Sequence, residues 1–319
     1  MLFLNKKDIT SADRQLIQDA VFNAYTLMNN GNYNMPDRTH VQDGDNTLLL
    51  MPCFGGDYFA TKLVSVFPGA VDKGLPAVNG IMTLADNTTG QPLAVMDGAA
   101  VTAERTGAVG GLGGLYLTGT QLKTAGILGA GVQGYSQARY LLLNRKIDTL
   151  LIGDMYPEAA RSMADRLAAD FPGVEFRVVP GADDLVADSE LVIAATTSTR
   201  PLFSDDAALV KDKTFISIGS FRPDMKEFPD AVIKTADKIY VDTLFAAKES
   251  GDICEPLKQG IVKKEEIRAF AGLIKEPAPG HNNGTLFFKS VGMALFDLTV
   301  ASALYEFAKE KQLGVTLDF

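Results

Sequence analysis

The sequence predicts an α/β protein, with a doubly wound parallel sheet in the second half and a mixed α+β domain ahead of it. Three observations predict it. From Thr118 onward, apolar β-rich runs alternate with helical patterns, the mark of a parallel sheet covered on both faces. The turn Gly129-Ala130-Gly131-Val132-Gln133-Gly134 joins the first of these runs to the first of these helices. Between Thr39 and Asp97 the texture differs: short β-rich runs are punctuated by Asp-Gly, Gly-Gly, Pro-Gly and Thr-Gly turn signals and describe a mixed sheet of their own. With 319 residues, 46 % of them hydrophobic and 22 % charged, the chain is long and apolar enough for two cores.

Thr10 and Ser11 are candidate N-caps for a helix reaching about Asn29, with Leu16, Ala20, Phe22 and Leu27 as its apolar positions and Gly31 as its stop. Strands of the first sheet are expected at 47–51, 58–66, 80–84 and 92–96. Residues 99–117 are rich in Ala and Gly, which suits a closely packed, buried helix linking the domains, although its glycines lower helix propensity. Six strands then follow, at 124–128, 149–152, 175–179, 191–195, 214–218 and 238–241, with helices at 132–144 and 157–170. A last helix, about 290–309, begins after Phe287-Phe288-Lys289 and is expected to return to the N-terminal domain. The domains are therefore 1–117 with 290–319, and 118–289.

Composition excludes several classes of function. A formal net charge of −9 disfavours nucleic acid and anionic membranes, whose surfaces call for clustered Lys and Arg. Cys53 and Cys254 cannot make a disulfide framework, and the start Met-Leu-Phe-Leu-Asn-Lys-Lys-Asp lacks the apolar core of a signal peptide, so a cytoplasmic protein is expected. No apolar run approaches the roughly 20 residues of a membrane span. His40 and His281 are the only histidines, too few for a histidine-rich metal site, and no metal is expected. Cys53 with His40 matches no nucleophile motif, Ser136 reads as a packing residue, and Lys263-Lys264-Glu265-Glu266 reads as a solvated helix start.

The glycine turn carries the clearest chemistry. In G-x-G-x-x-G between a strand and a helix, Gly129 permits the tight turn, Gly131 lets the backbone approach a pyrophosphate, and Gly134 lets helix and strand pack closely. Free amides at the helix start, from Val132 and Gln133, favour an anion there. The next strand ends in Leu151-Ile152-Gly153-Asp154, twenty residues past Gly134, where an acid would accept both ribose hydroxyls. Asp154 argues for NAD, because a 2′-phosphate would meet a like charge and neither Met155 nor Tyr156 offers it a cation. This is the signature of a Rossmann domain.

At this point the chain resembles the ornithine cyclodeaminase and mu-crystallin family, from about Arg38 to Tyr305. The resemblance is carried by Ala60-Thr61-Lys62-Leu63-Val64, Leu93-Ala94-Val95-Met96-Asp97-Gly98, Thr102-Ala103-Glu104-Arg105-Thr106, Ile127-Leu128-Gly129-Ala130-Gly131-Val132-Gln133, Arg222-Pro223-Asp224, Glu249-Ser250-Gly251-Asp252 and Phe288-Lys289-Ser290-Val291-Gly292. It implies that the first domain binds substrate and forms a homodimer, that NAD is the cofactor, and that hydride chemistry occurs at the α-carbon of a small amino or imino acid. It also implies Arg38, Lys62 and Arg105 as the cations that hold the substrate carboxylate and assist catalysis, and Thr196, Ile218 and Ser290 as further cofactor-binding positions. Taken alone, Lys62 also reads as a snorkelling edge-strand lysine, Arg105 as a structural bridge to some carboxylate, and Arg38 as a solvated loop charge.

Two departures bear on the reaction. Cyclodeaminases carry an aspartate where this chain has Phe221, and a glutamate two residues before the Met-Pro pair, where it has Leu49. Deaminative cyclisation needs a placed carboxylate to shuttle protons, whereas imine reduction needs a clamped carboxylate, a protonated C=N and a hydride donor. The expectation is therefore NADH-dependent reduction of a cyclic α-imino acid, by cations that grip the small acid while no carboxylate is positioned to manage water or amine. The alternatives are ornithine cyclodeaminase and a non-catalytic NAD-binding protein.

Overall fold

The computed structural model describes residues 1–275, 278 and 283–318; His281 lies outside the described residues. The chain divides into two compact units, Met1–Arg105 with Gly292–Phe319, and Thr106–Val291. In chain order the elements begin β1 (Leu2–Leu4), α1 (Lys6–Thr10), α2 (Arg14–Asn30), β2 (Tyr33–Asn34), β3 (Thr39–Asp43), β4 (Asn46–Gly55) and β5 (Tyr58–Val66). They continue β6 (Val78–Asp86), β7 (Pro92–Asp97), α3 (Gly98–Leu117), β8 (Gln121–Leu128), α4 (Val132–Asn144), β9 (Lys146–Gly153), α5 (Pro157–Asp170) and β10 (Glu175–Val178). Next are α6 (Ala182–Asp188), β11 (Leu191–Ala194), α7 (Ala207–Val210), β12 (Thr214–Ser217), α8 (Asp230–Thr235), β13 (Lys238–Val241), α9 (Ala246–Glu249) and α10 (Gly251–Lys258). The run closes with β14 (Ile267–Ala269), α11 (Phe270–Leu273), β15 (Leu286–Lys289), α12 (Ala294–Lys311) and β16 (Val315–Thr316).

The first unit is built on a mixed sheet in the order β16-β1-β7-β6-β5-β4-β2, with β3 also paired to β4. Only β1 with β7 runs parallel; the other pairs are antiparallel. Alternation along β4 to β6 turns Met51, Cys53, Ala60, Met82 and Leu84 inward, and α12 covers that face beside α2, with Tyr25 edge-on to Phe296. The N-terminal helix differs from the expectation. Asn5 caps a separate five-residue α1 through a capping box with Asp8, so Thr10 and Ser11 end that helix instead of starting the next one. Asp13 caps α2 by accepting from Gln15 N, and Gly31, at φ +69°, closes it in the left-handed conformation that suits glycine.

The second unit is an all-parallel sheet in the order β10-β9-β8-β11-β12-β15-β13-β14. It has eight strands where six were expected. Leu286–Lys289 is the central addition: its apolar Phe287 and Phe288 insert as β15 between β12 and β13, and the helix read from residue 290 starts only at Ala294. Gly292, at φ +73°, interrupts the chain between them. β14 adds the eighth strand at the edge. Every residue of β11, β12 and β15 is buried, as a sheet covered on both faces requires. The glycine turn leaves β8 at the point where the strand order reverses, the place at which such sheets bind ligands.

The unit boundary falls inside α3, and the glycines after it explain its composition. A Cβ on Gly107 would overlap Tyr140 and the backbone of Ser136, and one on Gly113 would press on Phe288 and Ile216. Among the described residues no helix is long and apolar enough to cross a membrane.

Candidate functional site

In the first unit, three elements bring charge to one buried spot. Lys62 lies mid-sheet on β5, paired in register with Met51 on one side and Met82 on the other, and is 2 % exposed. It is not an edge-strand lysine. Arg105, at the end of this unit's share of α3, is 6 % exposed. Between them stands Asp297 of α12, fully buried: its Oδ1 accepts from Lys62 Nζ at 2.8 Å and from Arg105 Nε at 3.0 Å, and its Oδ2 is also 2.8 Å from Lys62 Nζ. Arg38, in the segment before β3, donates from Nη2 to the carbonyl of Gly292 at 2.6 Å. A Cβ on Gly292 would overlap Arg105 Nη1, so another residue there would displace that guanidinium as well as strain the backbone at φ +73°.

The structure adds one feature to the expected site: a carboxylate stands among the cations and bridges Lys62 and Arg105. Sequence reasoning missed Asp297. Its signal was a lone acid in the apolar run Met293-Ala294-Leu295-Phe296-Asp297-Leu298, where an unpaired charge would be costly. The electrostatics follow from burial. Desolvation pushes Lys62 down to about 8, with Arg105 and Arg38 acting the same way and Asp297 opposing them. Burial alone would raise Asp297, but the charges and hydrogen bonds of Lys62 and Arg105 outweigh it and hold the carboxyl below its ordinary range. Leu49 is buried on the inward side of β4, in line with Met51 and Cys53. The Cys53 thiol is pushed up to about 12 by burial and by Asp297, which leaves it protonated and unreactive; His40 is exposed on β3.

In the second unit, Gly129, at φ +101°, makes the tight turn after β8, and a Cβ on Gly134 would overlap the Gly129 carbonyl. Gly131 is the N-cap of α4 with no side-chain cap, and a Cβ there would meet nothing within 4 Å. Open space, uncapped amides of Val132 and Gln133, and 13 residues of helix behind them fit a dinucleotide's pyrophosphate. Asp154, at the end of β9, accepts from Ala130 N at 2.6 Å and from Tyr156 N at 2.9 Å, which ties it to the glycine turn.

Thr196, Ile218 and Ser290 follow the adjacent strands β11, β12 and β15, so the sheet brings all three to its carboxyl edge. A buried network that sequence reasoning missed holds these loops. Glu227 accepts from Thr196 N and Oγ1 at 2.7 and 3.0 Å, from Gly219 N at 2.8 Å and from Ser220 N at 3.0 Å. Asp252 accepts from Ser217 Oγ and from Glu227 N, while Lys289 Nζ donates to Ser217 Oγ at 2.9 Å. Asp242 accepts from Ser290 Oγ at 2.7 Å. Burial, reinforced by Asp252 and opposed by Lys289, raises the Glu227 carboxyl. Phe221, partly buried, follows Ser220, and Arg222 pairs with Asp224 at the surface. Among the described residues no group of three or more His, Cys, Asp and Glu is arranged to hold a metal ion.

A Rossmann-type unit joined to a unit with buried, carboxylate-braced cations defines a class of two-unit α/β protein. The chain belongs to the ornithine cyclodeaminase/mu-crystallin family, whose family model matches residues 4–312. A Delta(1)-pyrroline-2-carboxylate reductase of Bacillus cereus is 34% identical over 280 residues, 86% of this chain and 85% of that protein. The structure of the Thermococcus litoralis Delta(1)-pyrroline-2-carboxylate reductase in complex with NADH and L-proline superposes with a TM-score of 0.92 at 31% identity, covering 99% of this chain and 100% of that one. An archaeal alanine dehydrogenase dimer with bound NAD superposes with a TM-score of 0.91 at 29% identity, covering 100% of this chain and 99% of that one.

Proposed function

We propose that the protein reduces a cyclic α-imino acid, of the pyrroline-2-carboxylate or piperideine-2-carboxylate type, to the amino acid with NADH. The observation that carries this reading is the group of buried Lys62 and Arg105 with half-buried Arg38, set beside a sheet face where Leu49 stands in place of a cyclodeaminase's glutamate. The relatives that reduce pyrroline-2-carboxylate support it. Arg105 and Arg38 hold the substrate carboxylate, since planar guanidinium groups match it in geometry and charge. Lys62, kept as an ammonium beside Asp297, supplies positive charge and acidity at the imine nitrogen. NADH, when bound, supplies the hydride: the C=N carbon gains it, the nitrogen gains a proton, and NAD+ is left. Gly129, Gly131, Val132, Gln133, Gly134 and Asp154 hold the adenine-side half of the cofactor, and Thr196, Ile218 and Ser290 lie along the loops that receive the rest.

The protein acts as a homodimer. The outer face of its first sheet exposes Phe54, Leu63 and Ile81, with Leu63 and Ile81 paired across β5 and β6, an apolar patch that a second copy would cover. A second reading, reductive amination of a small 2-oxo acid, is favoured by the likeness to the archaeal alanine dehydrogenase. One set of assays separates them: pyrroline-2-carboxylate and its six-membered homologue with NADH, pyruvate and ammonia with NADH, and ornithine with NAD. NADH oxidation on the cyclic imines, with turnover falling as pH rises through about 8, is expected. Turnover confined to pyruvate and ammonia supports the second reading, and ammonia released from ornithine defeats both.

A further inference from the structure

Asp297 does more than neutralise charge. It takes only the Nε corner of Arg105; among the described residues the Nη1 and Nη2 atoms make no hydrogen bond, and they lie where a side chain at position 292 would begin, a space that Gly292 leaves unfilled. The same carboxylate meets Lys62 Nζ with both oxygens at 2.8 Å. Asp297 is wholly buried, in a helix whose inward face is otherwise apolar along this stretch. A carboxylate in that position, grasping one cation end-on and the other by its inner edge, leaves the outer pair of guanidinium donors for a ligand.

The geometry points to Asp297 as a positioning residue for the reaction: it fixes the Arg105 guanidinium with both Nη atoms left for the substrate carboxylate, and it retains Lys62 as the ammonium that serves the imine nitrogen. The inference rests on the imine-reductase reading. The titratable groups packed around Asp297 are Lys62 on β5, Arg105 on α3 and Cys53 on β4, with Arg38 acting on Lys62 from the segment before β3; Tyr25 of α2 packs on the neighbouring Phe296, and Met82 and Leu84 of β6 carry no titratable group. Asp297 raises Lys62 by its charge and by its hydrogen bond; removing the charge deletes the larger of the two, so the ammonium is lost at lower pH.

The test compares the wild type with Asp297→Asn, which keeps an Oδ1 acceptor for Arg105 but no charge, and with Asp297→Glu, which keeps the charge but displaces it. For Asp297→Asn we expect kcat/KM on pyrroline-2-carboxylate to fall by roughly tenfold or more, the alkaline limb of the kcat profile to move down by about one pH unit or more, and the NADH Kd to change less than about twofold. The Lys62 Nζ resonance, labelled with 15N-lysine, assigned with Lys62→Met and titrated without substrate, shifts with that limb. For Asp297→Glu the limb stays at the wild-type pH while KM rises. A limb and a resonance that do not move in Asp297→Asn overturn the assignment, even if activity is lost. If Asp297→Asn does not fold, a Glu variant whose limb moves and whose KM does not overturns it equally. A wild type inactive on every imine, with a Lys62 titration that still responds to Asp297→Asn, rejects the substrate reading and keeps the positioning role.

Discussion

Asp154 and Asp297 are both acids that sequence reasoning ought to weigh, yet only one was legible. Asp154 stands at a fixed offset from the glycine turn, and its partners Ala130 and Tyr156 are near in sequence, so a local pattern exposes it. The partners of Asp297 lie 235 and 192 residues away, and no local pattern encodes a contact made by folding a helix back over a distant strand. Lys62 was legible as a lysine on an apolar strand face, because such a charge needs a reason; what braces it was not. At this scale the prediction concerns Asp154. Asp154→Ser removes the charge that would repel a 2′-phosphate, so the ratio of kcat/KM for NADH to that for NADPH should fall by about tenfold or more. An unchanged ratio, measured with both cofactors on one imine, contradicts the ribose assignment.

Elements were legible where their chemistry is local. The turn after β8, the alternation along β5 and the stop at Gly31 each come from residues a few positions apart. Two kinds of element were not. A four-residue strand such as β15 is too short for period to distinguish it from a helix lead-in, and its place between β12 and β13 is decided by which edge its phenylalanines can bury against. The short α1 depends on the Asn5–Asp8 capping box, and the break after it on Ser11 closing α1 and Asp13 capping α2, signals that a search for apolar period passes over. The glycines of α3 were visible as an oddity, and the structure supplies their reason in the contact with α4. Gly107→Ala must push aside Tyr140 or the Ser136 backbone, so it should destabilise the protein by about 1–3 kcal/mol despite alanine's better helix propensity. Chemical denaturation followed by circular dichroism checks this, and a variant at least as stable as the wild type shows that the two helices separate easily.

The whole molecule was legible in outline. Alternating texture announced the parallel sheet, and turn-rich texture announced the separate mixed one, because each layer architecture imposes its own period on the chain. Assembly was not legible from pattern, since an outward apolar residue on a strand looks the same whether solvent or a second copy faces it. Ile81 and Leu63 make that question testable. Ile81→Asp places a charge at the centre of the exposed patch and should convert a dimer into a monomer in sedimentation equilibrium, with the far-ultraviolet spectrum unchanged. A variant that stays dimeric moves the interface elsewhere.

The most direct measurement of the central claim follows one hydrogen. Pyrroline-2-carboxylate is incubated with the protein and 4-deuterated NADH of either face, and the product is read by mass spectrometry and NMR. The expected product is proline carrying a single deuterium at its α-carbon from one face of the cofactor, with one NADH oxidised per proline and no requirement for ornithine. Proline formed only from ornithine, with ammonia released and no net oxidation of NADH, would contradict it.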